Sequence, residues 1–442
     1  MADLQKGSKK LLNAWAFYDW ANSVYTLTIA SAVFPIFYEA LFSERDHYID
    51  VFGLHLKNSA LISFITAFAF LLVAFISPLL SGIADYVGDK KSFMKFFCYL
   101  GALSCMGLYW FNLENIYIGL AFYFFGLIGY WGSLVFYNSY LPDIAFVEQQ
   151  DKISAKGYSL GYIGSVILLI INLAMIMKPK LFGITGTEGE AAMKAMRYSF
   201  VMVGVWWILF SQYTYYFLPK GNKNADRKVT HHVVFNGFKE LKKVWFLLKE
   251  NIALKRYLGS FFVSSMAVQT VMLVATYFGA QEITWSSKAE STTGLIICIL
   301  IIQLVAVLGA VLTSRASEKF GNIPTLIFIN CIWAVFCALA FFITLPIHFY
   351  VMASIAGLVM GGIQALSRST YSKLLPETQD TASFFSFYDV AEKIGIVIGM
   401  LVYGIIDQIT GSPRLAIVFL GVFFVVAVIL LRRIPKKGAL NS

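Results

Sequence analysis

The sequence predicts an all-α membrane protein, with twelve transmembrane helices in two pseudo-symmetric six-helix bundles. Three observations carry this prediction: long apolar runs, a lopsided distribution of Lys and Arg between loops, and an internal repeat. The chain of 442 residues is 58% hydrophobic and only 14% charged. That is too apolar for a soluble domain. About 20 apolar residues cross a bilayer core as a helix. Such stretches fall at 14–41, 57–80, 93–111, 115–140, 156–177 and 196–218. A second set falls at 253–280, 291–313, 323–345, 347–371, 383–407 and 414–432.

An even number of spans puts both termini on one side. Most of the 35 Lys and Arg residues lie at the N-terminus, in the loops after even-numbered spans and at the C-terminus. The positive-inside rule makes that side cytoplasmic. It also accounts for the formal charge of +10 without a nucleic-acid partner. The first span, too long for a signal peptide and interrupted by Asp19, is expected to be its own insertion signal.

The repeat divides the chain. Tyr140–Asp143 (YLPD) matches Leu374–Glu377 (LLPE) at an offset of 234 residues, and Tyr137 pairs with Tyr371 and Gly161 with Gly395 at that same offset. Asp85–Gly88 (DYVG) matches Glu318–Gly321 (EKFG) at 233. The expected units are an N-terminal bundle (1–218), a cytoplasmic connection (219–252) and a C-terminal bundle (253–442). In the connection, Val234, Phe238, Leu241, Trp245 and Leu248 recur at helical spacing, with Lys239, Lys242 and Lys243 off that stripe. This predicts an amphipathic helix on the inner leaflet. Two related bundles fit transporters that rock around a midplane site.

Charged residues inside spans are the candidate functional groups, because a charge at the bilayer centre costs about 2.5–3.5 kcal/mol on insertion scales. In the first span Asp19, Asn22, Ser23 and Thr26 recur at i, i+3, i+4 and i+7 and form one polar stripe. Asp19 is a candidate for binding an amine, carrying a proton or holding a gate. In the eleventh span Asp389, Glu392 and Lys393 lie within reach of one another, with Lys393 about 15 Å deep at 1.5 Å per residue. They are candidates for substrate or coupling roles, against a structural ion network. Gln269 and Gln364 join the substrate candidates; Ser265 and Thr276 on the seventh span, and Tyr130, Ser133 and Tyr137 on the fourth, recur at helical spacing and either line the cavity or, as such uncharged groups more often do, join helices together. Arg368 is read first as a snorkelling arginine, and otherwise as an anion clamp or a gate partner for Asp19. Gly161 with Gly164, and Gly395 with Gly399, are small-residue pairs suited to sliding contacts between bundles.

The stretch SGIADYVGDKK (Ser81–Lys91) resembles the loop motif between spans 2 and 3 of the major facilitator superfamily, with Asp85, Gly88, Lys90 and Lys91 on its key positions; Ser81, Tyr86 and Asp89 depart from it. FYDWANSVY (residues 17–25), IADYVG (83–88) and GGIQALSRS (Gly361–Ser369) resemble the branch related to autophagy-associated vacuolar effluxers. The resemblance covers nearly the whole chain. It implies a major-facilitator fold and transport by alternating access, with amino acids as the first candidate cargo. It also implies that Asp85 latches the two bundles at the cytoplasmic end of the eleventh span. Gly88, Lys90, Lys91 and Arg368 are grouped with it as gating residues.

The resulting expectation is a secondary transporter for a small polar organic solute, acting as a monomer in the bacterial cytoplasmic membrane, with a proton or other ion as possible coupling partner. A proton-coupled exporter of drugs or amphiphiles, and a non-transporting receptor or scaffold, remain alternatives. No enzyme, cofactor or metal is expected. The five cysteines and five histidines form no ligand pattern, and no GxxxxGK[ST] loop is present for nucleotide.

Overall fold

The computed structural model describes residues 4–42, 48–51, 53–221 and 232–435. The first crossing is α1 (Lys9–Val24), a π-helical segment (Tyr25–Ala32) and α2 (Val33–Ala40). A small antiparallel hairpin follows, β1 (Tyr48–Val51) and β2 (Leu54–Lys57), with Val51 opposite Leu54. Then come α3 (Asn58–Val87), α4 (Lys90–Gly107), α5 (Ile116–Ser139), the single turn α6 (Leu141–Ile144), α7 (Val147–Met177) and α8 (Glu188–Phe217). The connecting segment contains α9 (His232–Glu250). The second set is α10 (Ile252–Glu282), α11 (Lys288–Phe320), α12 (Asn322–Leu339), α13 (Pro346–Leu374), α14 (Thr381–Thr410) and α15 (Pro413–Arg432).

Among the described residues, nine helical stretches are long and apolar enough to cross a membrane. The helices α4, α8 and α14 occupy the positions of the other three expected spans. They are more polar: α4 carries Lys90, Lys91 and Lys95, α14 carries Asp389, Glu392 and Lys393, and α8 is rich in Trp and Tyr. Helix limits follow local chemistry. Asn251 accepts from Leu254 N at 3.0 Å and starts α10. Asp89, one of the departures from the loop motif, caps α4 by accepting from Ser92 N and Oγ at 3.2 and 2.7 Å. Gly88 (φ 73°) and Gly321 (φ 87°) end α3 and α11. These two glycines are repeat-related, and both supply a backbone conformation that other residues rarely adopt.

Buried apolar side chains gather into two large clusters. One is built from Leu11 to Leu218 together with Ala382, the other mainly from Val244 to Leu431 together with Tyr162. A third, small cluster of Ala155, Ala310 and Ala365 sits where α7 meets α11 and α13. Here alanine allows close approach between the two sets. The glycine pairs do a different job from the one expected. A Cβ at Gly161 would lie 2.4 Å from Ser23 Oγ, and one at Gly164 3.0 Å from Trp20 O, so both face α1 within the first set. Gly395 and Gly399 face Met266 and Thr270 of α10 within the second. The pairs close helices inside each bundle rather than between bundles. Their equivalence also repeats the internal symmetry in three dimensions.

The helix expected in the connection forms as α9. Val244 and Leu248 are buried, while Trp245 is half-exposed beside Phe387, with ring centroids 6.0 Å apart. The side chains of Val234, Phe238 and Leu241 lie outside the described residues.

Close packing inside the second set is testable. A Cβ at Gly361 would lie 2.1 Å from Ala306 O, whereas one at Gly404 meets nothing within 4 Å. Gly361→Val is expected to force α13 from α11 and lower the thermal unfolding midpoint of the purified protein, with Gly404→Val close to wild type. Equal midpoints for the two variants would show that the α11–α13 contact yields freely.

Candidate functional site

The end of the bundle where α1 begins and α15 ends is called basal here. The hydrogen bonds joining the two sets gather between that end and mid-membrane. At their centre Arg368 of α13 meets Asp19 of α1, with Nη1 and Nη2 at 3.2 and 3.1 Å from Oδ2. Asp19 is 4% and Arg368 1% exposed. The rest of the guanidinium is also occupied. Nε donates to Ser154 Oγ at 2.9 Å, Nη2 to Ser154 O at 2.9 Å and Nη1 to Asn138 Oδ1 at 3.3 Å. Tyr158 and Trp15 cover its face at 4.2 and 4.9 Å to their ring centroids. Tyr137 Oη donates to Asp19 Oδ2 at 2.8 Å. Snorkelling is therefore not what this arginine does; it is buried and paired across the two sets.

Gly157 of α7 makes room for the pair. A Cβ there would lie 2.3 Å from Asp19 Oδ2 and 3.0 Å from Arg368 Nη2. Of the two roles open to Tyr137, the side chain takes the helix-joining one. Sequence reasoning missed Gly157, Asn138 and Ser154. Nothing local marks them, because their partners are more than 100 residues away.

Two further contacts flank this pair. Asp85 at the end of α3 accepts from the first turn of α14: from Ser383 N and Oγ at 2.7 Å each, and from Ala382 N at 3.3 Å. A carboxylate at a helix N-terminus satisfies free N–H groups and meets the positive end of the dipole. Lys90 binds Asp143 at 2.8 Å and also reaches Thr381 Oγ1, whose hydroxyl meets Ser139 O at 3.0 Å. Lys91 was grouped with the gate but reaches Leu218 O at 2.7 Å, closing the end of α8 inside the first set. On the opposite flank Asp151 of α7 binds Lys373 at 2.6 Å and accepts from Ser317 Oγ and Asn322 Nδ2 at 2.9 Å each. Asp151 was not among the residues singled out from the sequence.

The second cluster lies deeper. Lys393, about 18 Å along α14 from Thr381 at 1.5 Å per residue, pairs with Asp389 at 2.9 Å and Glu392 at 3.0 Å. Its ammonium sits 3.4 Å from the ring centroid of Trp131 on α5, a cation–π contact across the sets. Gln269 Nε2 donates to Glu392 Oε1 at 2.8 Å, and Asp389 Oδ2 is buried without a partner among the described residues. Between the clusters is a narrow cleft, lined in part by Tyr158, Ser265, Gln269, Gln364, Tyr388 and Glu392. Gln364 accepts from Tyr162 at 2.6 Å. Asn22 and Thr26 do not line the cleft. Asn22 is fully buried with its amide nitrogen unpartnered, and Thr26 bonds Ser23 O at 2.8 Å. Thr276 borders a separate apolar recess inside the second set. Tyr130 stacks on Tyr25, and Ser133 bonds Tyr130 O. Among the described residues no group of His, Cys, Asp and Glu could hold a metal ion.

Residues 7–441 match the family described as "Vacuole effluxer Atg22 like". The chain belongs to that family. This Atg22-like protein is 30% identical to the uncharacterized MFS-type transporter YxiO of Bacillus subtilis over 436 residues, covering 98% of this chain and 97% of YxiO. It is 23% identical to autophagy-related protein 22 of Vanderwaltozyma polyspora over 501 residues, covering 97% and 91% of the two chains. Its fold matches the E. coli fucose:proton symporter FucP with a TM-score of 0.69 at 14% identity, covering 97% and 98% of the chains. It matches the proton:xylose symporter XylE with a TM-score of 0.70 at 14% identity, covering 97% and 96%. The Atg22-like chain is thus a multi-pass membrane transporter of the major facilitator type, and not an enzyme.

Removing one partner of a buried ion pair costs about 3–5 kcal/mol, because the other charge is left buried. Arg368→Met should therefore lower stability by about that much, and Asp19→Asn/Arg368→Met should recover most of the loss. Denaturation in detergent measures both. A double variant as unstable as the single would mean that Arg368 acts through its stacking on Trp15 and Tyr158 instead.

Proposed function

We propose that this transporter moves a small zwitterionic solute, with amino acids as the first class, through the cleft between the two ion clusters. The observation that carries the reading is the Asp389–Glu392–Lys393 cluster beside that cleft at mid-membrane. It offers both signs of charge within one turn of α14. Lys393 would receive a carboxylate, and Glu392, held by Gln269, would receive an ammonium group. Asp19 and Arg368 bind each other, so they are assigned to the gate and not to cargo. With the basal end read as cytoplasmic from the distribution of Lys and Arg, the Asp85, Asp19–Arg368 and Asp151 contacts form a closed cytoplasmic gate.

The alternating motion is rocking of bundle 1–218 against bundle 253–442 about the fixed cleft, with 219–252 as the tether. Opening toward the cytoplasm breaks the three contacts together. Drive comes from a solute or ion gradient. The location is the bacterial cytoplasmic membrane with both termini inside, and the monomer is the working unit.

A second reading has one observation behind it. The apolar recess is lined by Met272, Phe278, Phe336, Phe349 and Met352 among other apolar groups, as a site for amphiphiles would be. It holds no charged side chain and lies away from the gate, so the polar cleft is favoured.

Proteoliposomes loaded with a panel of radiolabelled amino acids, and in parallel with a lipophilic cation, separate the readings. Saturable amino-acid flux, lost in Lys393→Ala and kept in Lys220→Ala, is expected. Flux of the lipophilic cation alone, or equal effects of the two lysine variants, would remove Lys393 from cargo binding.

A further inference from the structure

The connecting helix α9 has two working faces. Its buried residues Val244 and Leu248 join the apolar cluster of the second set, and the helix rests on α3 and α14. From one border of that face Lys243 reaches Asp380 Oδ2 at 2.7 Å. Asp380 directly precedes α14. The next three residues are those held by Lys90 and Asp85. The connecting helix therefore grips the same N-terminus that the gate grips.

The other face points away from the protein. Trp245 and Phe246 are 50% and 51% exposed. Lys239, Lys242 and Lys249 are exposed as well. At 3.6 residues per turn the order around the helix is Trp245, Lys249, Lys242, Phe246, Lys239, over an arc of about 120°. Lys249 Nζ lies 5.4 Å from the Trp245 ring and 6.0 Å from the Phe246 ring. The exposed acid Glu250 borders this arc on the Lys243 side. Aromatic rings alternating with ammonium groups match the boundary of an anionic leaflet. The rings enter the acyl–headgroup zone, and the lysines meet phosphate within a Debye length of the surface, about 8 Å at physiological salt.

We propose that the Lys239/Lys242/Lys249 face of α9 binds anionic phospholipid headgroups, and that this binding holds α9 in place so that Lys243 clamps the start of α14 and keeps the gate shut. Lipid composition then sets how readily the transporter opens at its basal end. The inference uses the cytoplasmic reading of that end only to say which leaflet is involved.

The test is hydrogen–deuterium exchange of the full chain in nanodiscs of phosphatidylcholine alone and of phosphatidylcholine with 30 mol% phosphatidylglycerol, roughly the anionic content needed to raise a surface potential. Both leaflets carry the lipid, so the readout is independent of sidedness and of cargo. Phosphatidylglycerol should slow exchange several-fold in 239–250 and in 378–384, and high salt should reverse both effects. Lys239→Gln/Lys242→Gln/Lys249→Gln should lose both responses while exchanging like wild type in phosphatidylcholine. Lys243→Ala should keep the response in 239–250 and lose it in 378–384. Equal protection of 239–250 in the two lipids would show apolar anchoring alone and overturn headgroup binding. The same conclusion follows if the triple variant still responds. A response confined to 239–250 in wild type would overturn the clamp.

Discussion

A guanidinium and a carboxylate withdrawn from water must find each other, and the basal half of this protein is organised around that requirement. Arg368 and Asp19 come from different bundles. Neither bundle alone can satisfy its member of the pair. The surrounding groups follow from the same need. Ser154, Asn138 and Tyr137 take up the remaining hydrogen-bonding positions, Trp15 and Tyr158 replace hydration on the cation's faces, and Gly157 is small because the carboxylate lies against its Cα. The pair is stable only while the bundles stay together at this end, which ties a local charge balance to a global arrangement of helices.

Depth separates two kinds of ionic contact. The contacts of Asp19, Asp85 and Asp151 cross from the first set of helices to the second, and the proposed rocking would break them. The Asp389–Glu392–Lys393 cluster is held mostly within α14, with Gln269 of the same bundle beside it. Its link to the first bundle is the Trp131 ring. A cation–π contact tolerates sliding better than a bidentate ion pair, since the ring presents a broad face. In the proposed rocking, the deeper cluster would outlast the basal contacts.

The architecture was largely legible because apolar run length and the sites of Lys and Arg are one-dimensional signals. The same holds for Asp85. Its place before Gly88, together with the resemblance to a known loop motif, pointed to the helix N-terminus where it is found. Lys393 and its two acids were legible as charges too deep to ignore. The Asp19–Arg368 pairing was within reach as the second reading of Arg368, but most other pairings across the repeat stayed hidden. Asp151 lies in a polar stretch that looks like any cytoplasmic helix start, and Lys373 like any positive-inside lysine. Arg368 read as snorkelling because its side chain is long enough to leave the membrane, and only the positions of α1, α5 and α7 show that it turns inward. The glycine pairs were visible, but spacing alone could not say whether their partner helix belonged to the same bundle.

The sign of these basal residues decides which halves can pair. In the three main basal contacts the first bundle supplies the acid, Asp19, Asp85 or Asp151, and the second supplies the donors. Two copies of the first bundle brought face to face would set carboxylate against carboxylate, and two copies of the second would leave Arg368 and Lys373 without counter-ions. The two halves thus share an outline but carry complementary groups at this face. The basal acids of the first half are therefore matched to the second half and not to a second copy of themselves.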